Sequence, residues 1–356
     1  MHEFQTSSHR KGHLEHVLVR LVGADGAVGW GEIASAADPY YNAENVESCW
    51  LVARDYLLPA VLAAHWEHPG EVPALWRKVR GNEFAKAGVD MAAWTLFAAS
   101  KGVSLAEALG GTRSQVVAGV SLGIESTIDD LLGQVALHVG HGYPRVKLKI
   151  APGWDVEPVR AVRAAFPDLD LHVDANGAYT DAVEHLAALR ALDGFGLTMI
   201  EQPFAPRDLL AHARFARSVR TPVCLDESVE SLDDLRLAIA LAAGRVLNVK
   251  VSRMGGLTAA VAAHDLASAA GLAVWCGGMH EFGVGRYANV ALSSLPGFTL
   301  PSDVSGSDKY YARDVVTPPV VATAGQVAVP TTPGLGAQLD ENYLTSATLR
   351  THTAAP

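Results

Sequence analysis

The sequence predicts an α/β protein whose larger part is a closed barrel of parallel strands, and three observations support this. After Gly110-Gly111, short apolar segments alternate with helical segments rich in Ala, Leu and Arg. There are eight such apolar segments, and eight parallel strands close naturally into a barrel. Polar residues near successive strand ends, from Lys149 to Lys250, are 24 to 27 residues apart, the length of a strand, a helix and their two loops.

The residues before this barrel predict a hairpin followed by helices. Alternating apolar residues predict strands at 14–22 and 27–33, and Asp25-Gly26 between them is a strong signal for a hairpin turn. Helical spacing of apolar side chains follows in residues 43–65, 71–80 and 83–101.

The change of pattern also divides the chain into domains. We predict a capping domain of residues 1–112 and a barrel domain of residues 113–319. Strand-like pieces and Pro-Gly turns predict that residues 320–356 pack back onto the capping domain and complete it. The eight barrel strands are predicted at residues 116–121, 145–150, 170–174, 197–201, 222–226, 246–250, 272–276 and 298–303.

Composition excludes several classes of function. Of the 356 residues, 49% are hydrophobic and 19% are charged, which is sufficient for a large buried core. The net charge is 28 − 38 = −10 and there is no basic block, so nucleic acid and anionic membranes are poor partners. No apolar run approaches the roughly 18 residues of a membrane helix, and the N-terminus lacks a signal-peptide pattern.

Cysteine usage predicts a reducing environment. Cys49, Cys224 and Cys276 are far apart in the sequence, odd in number and not in the Cys-x-x-Cys spacing of a metal or redox site. We therefore predict buried thiols in a cytoplasmic protein.

Two lysines lie on one predicted strand, in Val146-Lys147-Leu148-Lys149-Ile150. Residues two apart on a strand point to the same face, so the two ammonium groups lie side by side. Each destabilises the charge of the other, an effect that lowers the pKa of a lysine and makes it useful as a base near neutral pH. The alternative is a solvated strand face, which is the commoner origin of an isolated Lys-x-Lys.

Three carboxylates end the next three strands: Asp174, Glu201 and Asp226. One such residue is often the N-cap of the following helix, but three in succession, each after an apolar strand, are hard to explain as caps. The C-terminal ends of barrel strands meet at one mouth, where active sites lie. Oxygen anions converging there suit a hard divalent cation, most plausibly Mg²⁺.

The lysines and carboxylates together indicate a reaction. Lys149 and Lys250 end the second and sixth strands, on opposite sides of a barrel, with the carboxylate strands between them. This arrangement suits removal of a proton α to a carboxylate, in which a lysine takes the proton and a metal stabilises the growing negative charge.

At this point the chain resembles the enolase superfamily, in its muconate-lactonising-like branch, and within it the o-succinylbenzoate synthase / N-succinylamino acid racemase family. The resemblance covers nearly the whole chain. The matching stretches are Lys147-Leu148-Lys149-Ile150, Pro152-Gly153-Trp154-Asp155, Asp174-Ala175-Asn176, Ile200-Glu201-Gln202-Pro203, Leu225-Asp226-Glu227-Ser228, Asn248-Val249-Lys250 with Arg253-Met254-Gly255-Gly256, Trp275-Cys276-Gly277-Gly278-Met279 with Glu281, Gly283, Gly285 and Arg286, and Leu295-Pro296-Gly297-Phe298-Thr299-Leu300-Pro301.

The resemblance implies a modified TIM barrel of the (β/α)7β type, with an α+β capping domain whose loops near Phe4–His9 and Asp38–Tyr41 close over the substrate. It implies Mg²⁺, replaceable by Mn²⁺ or Co²⁺, on Asp174, Glu201 and Asp226, with Lys149 and Lys250 as acid/base residues. Lys147 would tune Lys149 and contact the substrate carboxylate, and Glu227 would pair with a lysine. The other implied substrate-site and supporting residues are Ser121, Asn176, Arg253, Gly277, Gly278 and Met279.

The chain departs from the family pattern in two places. Members usually have one more strand before Phe4, which predicts a truncated or misassigned start. The loop Thr6-Ser7-Ser8-His9-Arg10 lacks the aromatic-Gly pair expected after Thr-Ser, and His280 stands where an apolar residue is expected. These departures concern substrate specificity and not the proton chemistry.

The leading functional prediction is dehydration of the succinyl-hydroxycyclohexadiene carboxylate of menaquinone synthesis to o-succinylbenzoate. Racemisation of N-succinylamino or other N-acylamino acids is the first alternative, because both reactions begin with proton removal α to a carboxylate. A dipeptide epimerase is disfavoured, since the eighth strand has Asp303 but no Asp-x-Asp. A non-catalytic barrel conflicts with the intact carboxylates and lysines. The expected partners are a small carboxylate substrate and further copies of the chain.

Overall fold

Two short strands, β1 (Phe4–Gln5) and β2 (Arg10–Lys11), pair antiparallel at the start of the computed structural model, which describes residues 4–5, 10–11 and 14–355. Residues 6–9 of the predicted closing loop lie outside the described residues.

A hairpin and a set of helices follow, as predicted. Strand β3 (Val17–Val22) pairs antiparallel with β4 (Val28–Ile33). A π-helical turn, Ala53–Leu57, joins the first two helices, and the segment predicted at 71–80 forms only one short helix. The helices are α1 (Val46–Val52), α2 (Leu58–Leu62), α3 (Val72–Leu75), α4 (Glu83–Lys101) and α5 (Leu105–Leu109).

Helix α4 lies directly on the hairpin because glycines face each other at the contact. A Cβ atom on Gly31 would lie 1.9 Å from the carbonyl oxygen of Gly88, and one on Gly29 would lie 2.2 Å from that of Ala92. No larger residue fits between these backbones. The two elements are therefore held in one fixed relation.

Seven strands form a parallel sheet in sequence order, with helices between them. The strands are β6 (Val120–Leu122), β7 (Arg145–Lys149), β8 (Asp170–Asp174), β9 (Ile200–Glu201), β10 (Val223–Leu225), β11 (Val246–Val249) and β12 (Ala273–Cys276). The helices are α6 (Ile128–Gly140), α7 (Val156–Ala165), α8 (Val183–Leu192), α9 (Leu209–Ala216), α10 (Leu232–Leu241), α11 (Leu257–Ala269) and α12 (Gly283–Ser293). The predicted α/β class is confirmed.

The eighth position is filled without a regular strand, so the strand predicted at 298–303 is wrong. The segment still bonds to both edges of the sheet: Asp303 N donates to Cys276 O at 2.8 Å, and Gly119 N donates to Ser302 O at 2.7 Å. Pro301 has no N–H to contribute to a ladder, which accounts for the irregular backbone. These bonds close the curled sheet into a barrel.

The segment predicted as one strand at 116–121 is divided in two. Its first half, β5 (Gln115–Val117), pairs antiparallel with a strand near the C-terminus, and only β6 joins the parallel sheet. A Cβ on Gly119, at the division, would lie 2.1 Å from the Arg145 guanidinium carbon. The glycine thus makes room for a buried arginine side chain.

The C-terminal part adds strands β13 (Val316–Thr317), β14 (Gln326–Ala328) and β15 (Gln338–Leu339) and helix α13 (Glu341–Ala347). Strand β14 pairs with β5, whereas Arg350 donates to both carboxylate oxygens of Glu47 on α1, at 2.8 and 2.9 Å. The tail thus contacts both parts of the molecule, and the division at residue 112 stays a prediction.

The three cysteines are free and buried, as predicted. Among the helices of the described residues, none has both the length and the apolar character needed to cross a membrane.

A buried carboxylate joins α4 to the barrel. Asp90 accepts hydrogen bonds from Thr258 N at 3.0 Å and Thr258 Oγ1 at 2.7 Å, at the start of α11. Gly256 is required there, since a Cβ on it would lie 2.4 Å from Asp90 Oδ2. Burial raises the pKa of Asp90 to about 7, against the opposing effect of these hydrogen bonds.

This pKa shift predicts a pH dependence of stability. The folded protein keeps the Asp90 proton up to about pH 7, while the unfolded chain releases it near pH 4. The contribution of protonated Asp90 to the stability of the folded state is therefore lost as the pH rises between these values. The amide introduced by Asp90→Asn does not titrate. We therefore expect the free energy of unfolding of this variant, relative to the wild type, to increase from pH 4 to pH 7 and then level off. Denaturant unfolding at several pH values measures this difference; a constant difference would contradict the assignment.

Candidate active site

Three successive strands bring the predicted carboxylates together. Asp174 and Glu201 are register partners at the ends of β8 and β9, and Asp226 directly follows β10. All three are buried, and their ligand oxygens lie within 4.8 Å of one another. The helices that follow these three strands begin at other residues, with Ala182 as the N-cap of α8, Asp208 of α9 and Ser231 of α10. The alternative that these carboxylates are helix caps is therefore wrong.

The predicted base lysines lie on either side of this cluster. Lys149 Nζ donates to Asp174 Oδ2 at 2.5 Å and to Asn176 Oδ1 at 2.7 Å. Lys250 Nζ, from the far side, donates to Asp226 Oδ2 at 2.7 Å and to the hydroxyl of Tyr41 at 2.8 Å. Tyr41 belongs to the loop predicted to close over the substrate, so this loop does reach the lysine.

The solvated-face interpretation of Lys-x-Lys is wrong, because Lys147 and Lys149 are only 3% and 7% exposed. Burial disfavours the charge of Lys147, but Asp303, Glu201 and Asp174 outweigh burial and raise its pKa. The predicted lowering by the paired lysine is thus wrong for Lys147. Its ammonium group lies 3.1 Å from Glu201 Oε2 and 3.1 Å from Asp303 Oδ2, and these contacts dominate.

Arg253 is a buried partner of Asp226. Its guanidinium pairs with Asp226 Oδ1 and donates to the carbonyl of Val229 at 2.9 Å and that of Asn248 at 2.6 Å. Burial opposes the charge of Asp226, but Arg253 and Lys250 hold its pKa well below the usual range. Lys250 and Arg253 therefore share one carboxylate.

Asn176 and Glu227 form a link between two of the loops. Asn176 Nδ2 donates to Glu227 Oε1 at 2.8 Å. Of the lysines in the described ranges, none lies within ion-pair distance of Glu227, but Lys250 is close enough for its charge to act on this carboxylate, so the predicted pairing with a lysine stays a prediction. Burial, reinforced by Asp226, raises the pKa of Glu227 to about 7. Asn176 contacts Lys149 and Glu227 together.

Glu201 is held by two residues that were not predicted as site residues. Asn248 Nδ2 donates to Oε1 at 2.6 Å, and His172 Nε2 lies 2.9 Å from Oε2. A signal for His172 was present, because it lies two residues before Asp174 and is the register partner of Lys147. Both therefore face the same side of the sheet.

A small cavity opens beside the cluster. Its lining includes Ser121, Gly278, Asp303 and the three lysines. Two other predicted lining residues lie elsewhere: Gly277 packs against Asn248, and Met279 is part of the N-terminal core. Asp303 was noted only as an isolated carboxylate, but it accepts from Ser121 Oγ at 2.9 Å and pairs with Arg145 and Lys147.

Gly277 lies against Asn248 so closely that we expect a larger side chain at this position to impair the site. A Cβ at this position would lie 2.3 Å from Asn248 Oδ1 and 2.7 Å from Nδ2. We expect Gly277→Ala to displace Asn248, release Glu201 and lower kcat/KM by about 10- to 100-fold, as is typical when the partner of a metal-site carboxylate is lost. Steady-state kinetics measures this. Gly133→Ala is the control, because Gly133 is an exposed glycine of α6 with open space around it. This variant should be as active as the wild type when both are assayed at the same protein concentration.

Comparisons with known proteins agree with this geometry. Residues 1–110 match the family model of the mandelate racemase / muconate lactonizing enzyme N-terminal domain, and residues 131–343 match the enolase C-terminal domain-like model. The chain belongs to the enolase superfamily, as its motifs indicated, and it is an enzyme.

Individual relatives and solved structures show which members of the superfamily this chain is similar to. The chain is 45% identical to an o-succinylbenzoate synthase of Geobacillus kaustophilus over 96% of this chain and 91% of that protein. It is 47% identical to an N-succinylamino acid racemase of Amycolatopsis sp over 94% of this chain and 90% of that protein. A crystal structure of an enolase-superfamily member from Listeria innocua matches with a TM-score of 0.95 and 37% identity, over 98% of this chain and 94% of that one.

Proposed function

We propose that this enzyme is a Mg²⁺-dependent o-succinylbenzoate synthase, a lyase that dehydrates the succinyl-hydroxycyclohexadiene carboxylate of menaquinone synthesis. One observation carries the proposal: Lys149 and Lys250 reach a buried cluster of three carboxylates from opposite sides. The similarity to proteins named o-succinylbenzoate synthase supports the choice of substrate.

The carboxylate cluster fits a hard divalent cation. Its three donors are all carboxylate oxygens within 4.8 Å of one another, the ligand type that Mg²⁺ prefers, and Mn²⁺ or Co²⁺ would substitute on the same donors. Asp174, Glu201 and Asp226 would hold the ion. When bound, it would supply Lewis-acid stabilisation of the negative charge that grows on the substrate carboxylate.

The lysines supply the proton chemistry. Lys149 Nζ takes the proton from the carbon α to the carboxylate, and loss of hydroxide then yields the aromatic product. Lys147, charged and adjacent, attracts the substrate carboxylate. Lys250 remains a cation on the opposite face of the ring, where it contacts the π system. Asn176, bonded to Lys149 at 2.7 Å, orients its amine.

Racemisation of N-succinylamino acids is the second candidate function, and the contacts of Lys250 support it. Arg253 and Lys250 share Asp226, so Lys250 has a defined partner on the side opposite Lys149. Two opposed bases at one α-carbon are what a racemase requires. The similarity to the Amycolatopsis racemase supports this candidate.

Two assays of the wild-type enzyme test the choice. The first follows turnover of the cyclohexadiene substrate, and the second follows deuterium exchange at Cα of both enantiomers of an N-succinylamino acid. We expect fast dehydration. Fast exchange of both enantiomers without dehydration would make the racemase reaction the function, and neither activity in the presence of Mg²⁺ would reject the proposal.

We also propose a homo-oligomer in the cytoplasm. The free, buried thiols support a reducing compartment, and light scattering of the purified protein tests the assembly.

A further inference from the structure

The cavity contains a buried cation that no carboxylate neutralises. Arg286, on α12, is 2% exposed and lines the cavity. Its guanidinium donates to the carbonyl oxygens of Ser305 at 2.8 Å and Glu281 at 3.2 Å, while its Nε has no hydrogen-bond partner within the described part of the chain. Over those same residues it forms no ion pair. A buried charge without a counter-ion is costly, and such a group commonly belongs to a binding site.

One candidate counter-ion, Glu281, is otherwise engaged. Glu281 lines the same cavity, but its Oε1 accepts from Met279 N at 2.9 Å and from Asn289 Nδ2 at 3.0 Å. Its Oε2 lies close to Gly278, where a Cβ would meet it at 3.1 Å. Glu281 thus supports the backbone of the cavity wall and leaves Arg286 unpaired.

An aromatic ring connects Arg286 with a second cation. The Arg286 guanidinium carbon lies 4.9 Å from the centroid of the Tyr310 ring, and Lys309 Nζ lies 5.0 Å from it. The ring of His280 also contacts Tyr310, with centroids 4.9 Å apart. This part of the wall therefore presents a guanidinium, a phenol and an imidazole, with the ammonium group of Lys309 against the Tyr310 ring.

The wall is continuous with the reacting end of the cavity. Lys147 pairs with Asp303 at 3.1 Å, Asp303 accepts from Ser121 at 2.9 Å, and Lys309 donates to the Ser121 carbonyl. The cavity therefore has a group of cations at the carboxylate cluster and a separate cation, Arg286, at Tyr310. A ligand with two separate anionic groups complements both.

We propose that Arg286, with Tyr310 and His280, binds a second carboxylate, carried on the arm of the substrate remote from the reacting carbon. The inference rests on the proposed function, in which both candidate substrates have one carboxylate at the reacting carbon and another on a succinyl arm. It assigns the specificity for a charged arm to Arg286, a residue outside the proton-transfer machinery.

A matched pair of substrates tests the assignment. The first is an N-succinylamino acid, and the second is the same molecule with the terminal carboxylate replaced by its amide. We expect the wild type to favour the carboxylate by at least about tenfold in kcat/KM for Cα deuterium exchange, which corresponds to about 1.4 kcal/mol. In Arg286→Gln we expect this ratio to fall to about one, because only the charged substrate loses a partner. Arg286→Lys should restore part of it.

Arg20→Gln is the matched control. Arg20 is exposed and also lies over an aromatic ring, 5.8 Å from the centroid of Trp30, but outside the cavity. The ratio of kcat/KM for the carboxylate substrate to that for the amide substrate should be the same in this variant as in the wild type. A purely structural role of Arg286 would slow both substrates equally and leave the ratio unchanged, and that result would reject the subsite.

Two further measurements keep the assignment testable. If Arg286→Gln fails to fold, Tyr310→Leu replaces it, and we expect the ratio to fall by about threefold through loss of the cation–π contact; an unchanged ratio rejects the subsite. If the wild type exchanges neither substrate, the racemase chemistry fails separately. In that case calorimetry compares the affinity of the enzyme for o-succinylbenzoate with its affinity for the succinyl amide of this compound. Tighter binding of the diacid supports the subsite, and equal binding rejects it.

Discussion

Lys149→Ala is expected to lower the dehydration rate by a factor of about 10⁴, the upper range for loss of a positioned general base. Lys149 Nζ lies 2.5 Å from Asp174 Oδ2 and is only 7% exposed, so neither another side chain nor bulk water can replace it easily. Stopped-assay turnover of the cyclohexadiene substrate measures the effect. Lys101→Ala, an exposed lysine over Phe97, serves as the control and should be fully active.

The same pair of lysines separates the two candidate reactions. In a racemase, Lys149→Ala should abolish Cα exchange from one enantiomer only, and Lys250→Ala from the other. In a dehydratase with one base, Lys149→Ala removes dehydration, while Lys250→Ala retains part of it because the lysine acts only as a cation. Unimpaired dehydration by Lys149→Ala would reject the mechanism.

Glu201→Gln is expected to weaken binding of the divalent cation by at least about 100-fold and to lower activity at least in proportion, since loss of a supporting residue alone costs about 10- to 100-fold. Glutamine has the same shape but no charge. Glu201 contacts His172, Asn248 and Lys147 but neither of the two base lysines, so both bases keep their partners in this variant. The effect can thus be assigned to the metal site.

Titration calorimetry with Mg²⁺ measures the affinity directly, and treatment of the wild type with a chelator followed by Mg²⁺ tests the dependence of activity. Glu47→Gln is the control, because Glu47 is an exposed glutamate that pairs with Arg350. If Glu201→Gln binds Mg²⁺ as tightly as the wild type, the carboxylate cluster is not the metal site.

The positions of the three carboxylates and of Lys149 and Lys250 were predictable because they follow from chain geometry. Parallel strands of a barrel expose their C-terminal ends at one mouth, so residues spaced by one strand and one helix are brought together. Asp174, Glu201 and Asp226 meet as this rule requires. A rule that depends on spacing alone needs no knowledge of side-chain packing.

The partners of these residues were less predictable, since they depend on which buried groups meet across the barrel. Asp303 comes from an irregular segment, and its approach to Lys147 at 3.1 Å reverses the direction expected for that lysine's pKa. Glu227 accepts a hydrogen bond from Asn176, a contact that was not predicted. Which buried side chains become partners depends on the positions of residues far apart in the sequence. The periodicity of apolar residues gives no information about these positions.

The irregular segment at 298–303 has a consequence for biosynthesis. It bonds to Cys276 on one side and to Gly119 on the other, so barrel closure joins residues more than 180 positions apart in the chain. Contacts of such long sequence separation form slowly, because a long loop must first be ordered. A nascent chain that ends before Phe298 exposes two unpaired parallel edges, which are templates for association with other chains. Completion of synthesis up to this segment therefore covers both edges.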